Sequence, residues 1–157
     1  MAILSNDELY SLMVPIAEAQ LVLPRTCIAE VVAWHQPDVV PNTPKWYIGN
    51  IDWNDRTIPV ISFEAACGNE IPPTGVRARI VVCVDVTGKL ESGYFGMVTQ
   101  GFPQLVRLSP DLVKPNAHQP SFDNQPVLCQ VRMINDSPLI PDFERIEAML
   151  SAVAVAQ

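Results

Sequence analysis

The chain is short of the residues on which most enzyme chemistry rests. Only two histidines occur in 157 residues, His35 and His118. The four cysteines, Cys27, Cys67, Cys83 and Cys129, are too far apart in sequence for a Cys-x-x-Cys metal or redox pair. Zinc would need imidazole or thiolate ligands converging from distant positions, so neither a metal nor a cofactor is expected. No Gly-x-Ser-x-Gly elbow, phosphate-cradling loop or His-Glu-x-x-His pattern is present. Basic charge is scarce as well, 10 Lys and Arg against 17 Asp and Glu giving a formal net charge of -7. Arg77 and Arg79 alone do not make the clustered cationic surface that a phosphate backbone requires, which argues against nucleic acid or an anionic membrane as partner. Every apolar run falls far below the roughly 18 to 20 residues that span a bilayer, so no direct membrane insertion is expected. An acidic residue stands near the start where a secretion signal needs a basic one, and the expectation is a soluble, cytoplasmic protein.

What is there is apolar and punctuated by proline. Hydrophobic residues make up 48% of the chain against 17% charged, which fits a folded domain rather than disorder. Short apolar stretches recur at residues 9–16, 19–23, 27–34, 46–53, 57–63, 76–86, 94–99, 104–108, 127–134 and 138–140. They are rich in Val, Ile and aromatics and too short for helices, and the 15 prolines fall naturally between strands. "RIVVCVDV" at residues 79–86 is branched on both faces, as in a strand buried on two sides. The fold class predicted is mainly β, with two small five-stranded barrels packed together and a C-terminal helix. The helix is predicted from Pro141 onward, where Asp142 and Glu144 suit the positive end of the dipole and Phe143, Ile146, Met149, Leu150 and Val153 repeat at helical spacing. A helical turn is expected at residues 63–67, ended by Gly68, and a surface loop at 114–126. As one domain over 1–157, the chain is expected to divide into lobes at 18–75 and 76–140, with residues 1–17 and 141–157 packing across them.

The stretch "NTPKWYIGNIDWNDRTIPVISF" at residues 42–63 reads as a hairpin turning at "DWND". Ile28, Val31, Ile51, Ile58 and Val60 are core residues by general burial tendency, and Glu30 a solvated strand-end acid. Trp53 is the stronger contact candidate, because an indole at a turn offers a large area at low entropy cost.

With "IAEVVAW" before it, this hairpin resembles the signature of CheW-like adaptor domains of bacterial chemosensory systems. Glu30 and Val31, then Asn42, Thr43 and Pro44, then Gly49, Ile58, Pro59 and Val60 stand at matching positions. "GYFGMVTQGF", with Gly96 in place, looks like a second family segment, and "SPLIPDFERIEAML" like the closing strand and helix. The resemblance implies SH3-like five-stranded barrels and a non-enzymatic scaffold. It further implies two partners, a CheA-type histidine kinase and a methyl-accepting chemoreceptor, and recruitment to receptor arrays at the inner membrane. It makes Glu30, Val31, Asp52, Trp53, Asn54, Asp55 and Gly96 the candidate partner-binding residues. The family's Asn-x-Arg-Gly turn is here Asp52, Trp53, Asn54 and Asp55, so the arginine associated with receptor engagement is replaced by an amide with neither charge nor reach. The Val-Asp pair of the second segment is Thr99 and Gln100. Both departures suggest a divergent member, like the accessory adaptors of twitching-motility arrays. Two other readings stay open. One is a small β-barrel hydrolase or ligand-binding enzyme using Asp85, His118 or a cysteine, and the other a structural protein that self-assembles through strand edges.

Overall fold

A computed structural model describes residues 9–109, 114–115 and 121–156. In chain order the elements are β1 Leu9–Ile16, β2 Ala19–Pro24, a single 3-10 turn at Arg25–Cys27, β3 Ile28–Ala33, β4 Tyr47–Trp53, β5 Arg56–Ile61 and α1 Phe63–Ala66. There follow β6 Arg79–Val84, β7 Tyr94–Thr99, β8 Gln104–Leu108, β9 Lys114–Pro115, β10 Val127–Arg132, β11 Leu139–Pro141 and α2 Phe143–Ala156. The mainly β architecture with a C-terminal helix is thus as expected. The strands form one sheet in the order β8-β1-β2-β11-β10-β9 and another in the order β3-β6-β7-β5-β4. The first has six strands rather than five, because Lys114–Pro115 pairs with β10 at the start of what was expected to be a loop.

The chain does not divide at 75/76. The β1–β2 hairpin finds its neighbours late in the sequence, Leu12 opposite Leu105 in β8 and Leu21 opposite Leu139 in β11. Strand β3 pairs instead with β6 and β5 with β7, Val31 opposite Val81 and Val60 opposite Gly96, and β4 pairs with β5 at the edge. The chain therefore leaves one sheet after β2, builds the whole of the other, and returns to the first at β8. The segment at 68–75 is a loop within the second unit, not a boundary. A contiguous division would have left both edges of the β1–β2 hairpin unpaired, and nothing local in the sequence specifies which distant strand fills an edge.

Strand β6 lies between two cores. Ile80, Val81, Val82 and Cys83 are all 0% exposed, which accounts for the missing polar alternation. Ile80 and Val82 point into a small cluster with Ile51, Ile58, Val60 and Val98, inside the curl of the five-stranded sheet. Val81 and Cys83 point the other way, into the larger core shared with β1, β2 and α2, where Leu21, Phe95, Met97 and Leu150 meet. Helix α2 presents most of the predicted stripe to that core through Phe143, Ile146 and Leu150, while Val153 is buried outside that cluster and Met149 is only half-buried. The helix begins two residues later than expected. Pro141 ends β11, and Asp142 caps the helix, its Oδ1 accepting from Arg145 N–H at 3.0 Å. At α1, Ser62 Oγ accepts from Ala65 N–H and Gly68, at φ 92°, closes the turn.

The hydrogen-bonded order of the five-stranded sheet is linear, and its free edges, β3 and β4, are brought together differently. Past the end of β3, Asp38 docks on β4 through Asp38 N–H to Asn50 O at 2.8 Å and Asn50 N–H to Asp38 O at 2.9 Å. Gly49 makes this approach possible: a Cβ there would lie 2.4 Å from Asp38 O.

Candidate partner-binding face at the β4–β5 hairpin

The hairpin turns in two residues. Trp53 pairs with Arg56, and between them Asn54 and Asp55 both take left-handed backbone, at φ 51° and 61°. Two successive positive φ values define the type I′ geometry that matches strand twist, and Asn and Asp are the non-glycine residues that tolerate it best. Replacing the family's Arg and Gly therefore leaves the turn intact. Asp52, Asn54 and Asp55 are exposed, and Asp52 Oδ1 accepts from Thr57 Oγ1 across the strands at 3.0 Å.

Trp53 itself is half-buried. Its ring packs over the small core and meets Tyr94 edge-on, with centroids 4.9 Å apart. Its Nε1–H donates to Glu30 Oε1 at 2.9 Å. Arg56 lies 5.1 Å above the Tyr94 ring and donates from Nη1 to Ser92 O at 2.8 Å. Glu30, Trp53, Tyr94 and Arg56 thus form one cluster across β3, β4, β7 and β5. Five of the seven sequence candidates, Glu30, Asp52, Trp53, Asn54 and Asp55, converge here. Val31 is half-buried against the larger core. Gly96 is buried in β7 and is corrected from a surface contact to a packing residue: a Cβ there would come within 2.8 Å of Ile80 Cγ2 and 3.2 Å of Val60 Cγ2. Sequence reading missed Tyr94 and Arg56, whose roles depend on cross-strand neighbours. Beside the hairpin, a groove of about 540 Å³ separates it from α2, lined among others by Asn50, Arg56, Thr57, Ser92 and Leu150.

The groups reserved for catalysis are otherwise occupied. The Asp85 carboxylate accepts from the N–H groups of Thr87, Gly88 and Leu90 and organises the β6–β7 turn. Burial raises its pKa, but these bonds and one from Glu147 outweigh that and hold it below the ordinary carboxylate range. Glu147, on α2, is 0% exposed and accepts from Val86 N–H at 3.0 Å, Thr87 N–H at 2.8 Å and the Thr87 hydroxyl. Burial first, then the bond with Asp85, push its carboxyl above the usual range. Burial also raises the thiols, Cys67 to about 11 and Cys83 further still. Such thiols are poor nucleophiles. His118 lies outside the described residues.

A family model for the CheW-like domain matches residues 11–148. The chain belongs to the CheW-like domain family. Its fold is similar to that in the crystal structure of the scaffolding protein TtCheW from Thermoanaerobacter tengcongensis, with a TM-score of 0.70 and 17% identity over 85% of this chain and 83% of that one. Comparison with curated proteins gives no match. As a CheW-like domain, the chain is a non-enzymatic chemotaxis module. Among the described residues, no helix is long and apolar enough to cross a membrane.

Proposed function

We propose that this CheW-like domain is a scaffold that couples a methyl-accepting chemoreceptor to a CheA-type histidine kinase, with the β4–β5 hairpin face as one contact surface. The observation that carries the reading is the family match over residues 11–148, which includes the whole hairpin and all of both sheets but the first two residues of β1. The name of the similar protein, a scaffolding protein, supports the same role. On the hairpin face, Glu30, Asp52 and Asp55 are carboxylates, while the nearby cation, Arg56, is folded back over Tyr94. A receptor met here is read by amide and carboxylate groups rather than by a protruding guanidinium, so it presents Lys, Arg or backbone donors. The departures from the family pattern at Asn54, Asp55, Thr99 and Gln100 support placing it in an alternative chemosensory array of the twitching-motility kind, with the scaffold held at the inner membrane by its receptor.

Reconstitution tests the reading. Mixed with its cognate kinase and receptor, the protein is expected to co-sediment with both and to raise kinase autophosphorylation. Unchanged sedimentation and unchanged autophosphorylation would refute it.

A further inference from the structure

At the start of β4, the end remote from the turn, a second cavity of about 450 Å³ opens between that strand, the floor at Ser62 and Glu64, and the strap at residues 71–74. Its walls include Trp34, Tyr47 and Ile48, and Gln100 reaches it from the end of β7. Glu64 is only 5% exposed. Its Oε2 accepts from Ala17 N–H at 2.9 Å and its Oε1 from Ser62 Oγ at 3.3 Å, both neutral donors. A carboxylate has about four lone-pair sites, so roughly half its acceptor capacity is unused. Lys45 is ion-paired with Glu70, at 2.6 Å. Lys45 lines this same cavity, yet its ammonium is drawn outward to Glu70, whose side chain is 91% exposed. Among the described residues, the floor of the cavity therefore holds a buried carboxylate bound by two neutral donors, with no cation against it.

We propose that this cavity binds an organic cation, a guanidinium or ammonium head on a short apolar stem, with the head on Glu64 and the stem along Trp34 and Ile71. The volume suits a ligand between an amino acid and a dipeptide in size, and mixed aromatic walls with a few polar groups are the usual make-up of a small-molecule pocket. The indole adds a face that attracts cations. The protein's net charge of -7 raises the local concentration of cations and repels anions. This site lies away from the turn, although Tyr47 also borders the groove beside the hairpin, and it does not depend on the scaffold reading. The head group could belong to a free metabolite or to an arginine or lysine side chain of a bound protein.

The test is an NMR titration of the full chain with butylguanidinium, with neutral butylurea of nearly the same shape, and with a blocked Gly-Arg-Gly peptide. Saturable shifts at the amides of Gln36, Ile48 and Gln100 are expected with butylguanidinium, and binding of butylurea at least tenfold weaker. The Glu64→Gln variant keeps an acceptor for Ala17 N–H and is expected to lose at least tenfold in affinity for the guanidinium. If the peptide binds tighter than butylguanidinium, the cation comes from a protein partner, and if weaker, from a free small molecule; both orders support the site. Equal affinity for the urea and the guanidinium, or no saturable binding of either to the wild type, overturns the proposal without recourse to any variant. Wild-type affinity in a folded Glu64→Gln protein overturns it as well.

Discussion

Trp53 Nε1 lies 2.9 Å from Glu30 Oε1, although the two residues sit on β4 and β3, the opposite edges of one sheet. The bond, with the Asp38–Asn50 bridge, draws those edges together over the small core. Trp53 is therefore a strut as much as a contact. Trp53→Phe keeps an aromatic ring over Tyr94 but loses the donor, and is expected to cost about 1 kcal/mol. Trp53→Ala also uncovers the core, and an expected loss of about 2 to 3 kcal/mol follows from truncating a half-buried aromatic. Urea denaturation of both variants checks the order; equal midpoints would show that the indole N–H contributes nothing.

Asn54 separates recognition from folding more cleanly, because its side chain is exposed and only its backbone is specified. Asn54→Arg restores the family's cation at φ 51°, at a cost of roughly 1 kcal/mol for a longer side chain in left-handed backbone. Receptor affinity is expected to change by tenfold or more while kinase affinity stays within twofold. Sedimentation with each partner alone distinguishes the two. Identical receptor binding would remove this turn from the receptor surface.

Local patterns were legible in the sequence and distant ones were not. β1, β7 and β8 start and end where apolar runs meet Pro, Gly or charged residues, and the α2 stripe followed from period alone. The partition into lobes failed because pairing partners such as Leu12 and Leu105 are far apart and carry no mutual signal. At the hairpin face the turn was readable from "DWND", but the half-burial of Trp53 was not, since it depends on Tyr94 and Glu30 arriving from other strands. Gly96 was misread as a surface residue for the same reason: what excludes a side chain there is Ile80, one strand away. Buried carboxylates were the hardest to see. Glu64 and Glu147 look like ordinary helix-surface acids until tertiary contacts supply their donors.

Two glycines should differ in how badly they tolerate a methyl group. At Gly96 the obstacles are side-chain methyls of Ile80 and Val60, which can shift, so Gly96→Ala is expected to cost about 1 to 3 kcal/mol. At Gly49 the obstacle is the Asp38 carbonyl at 2.4 Å, which is fixed by its own hydrogen bond. Gly49→Ala is expected to be the more damaging and to expose the Asn50 amide to hydrogen exchange. Retained protection of Asn50 in that variant would contradict the close-approach argument.

The thiols provide a reporter of opening. Cys67, raised to about 11, holds roughly one thiolate in ten thousand at pH 7, and is expected to react with iodoacetamide at a rate that still climbs past pH 9. Cys83 is 0% exposed and should be alkylated only as fast as the protein opens. A plateau in the Cys67 rate near pH 8.5 would show that burial does not control it.

The Asp85–Glu147 pair ties α2 to the β6–β7 turn and should give stability a two-sided pH dependence. Asp85 is lowered in the folded state, so its contribution is present above its ordinary value of 3.8 and is lost as pH falls through its depressed one. Glu147 is raised, so its contribution is fully present below 4.5 and is lost as pH rises through the elevated folded value. Cys27 and Cys83, the other titratable groups beside Glu147, are themselves raised by burial and stay neutral through this range. The pair is strongest in mildly acid solution, with Glu147 protonated and Asp85 ionised. Glu147→Gln cannot ionise, but its amide nitrogen only donates, so one of the two backbone N–H groups held by the carboxyl oxygens loses its acceptor and the variant is expected to lose about 1 kcal/mol at acid pH. That deficit should shrink as pH rises toward 8, because only the wild type then acquires a second charge beside Asp85. Urea midpoints measured from pH 5 to 8 test the sign, and a deficit that stays constant across the range would show that Glu147 does not titrate there.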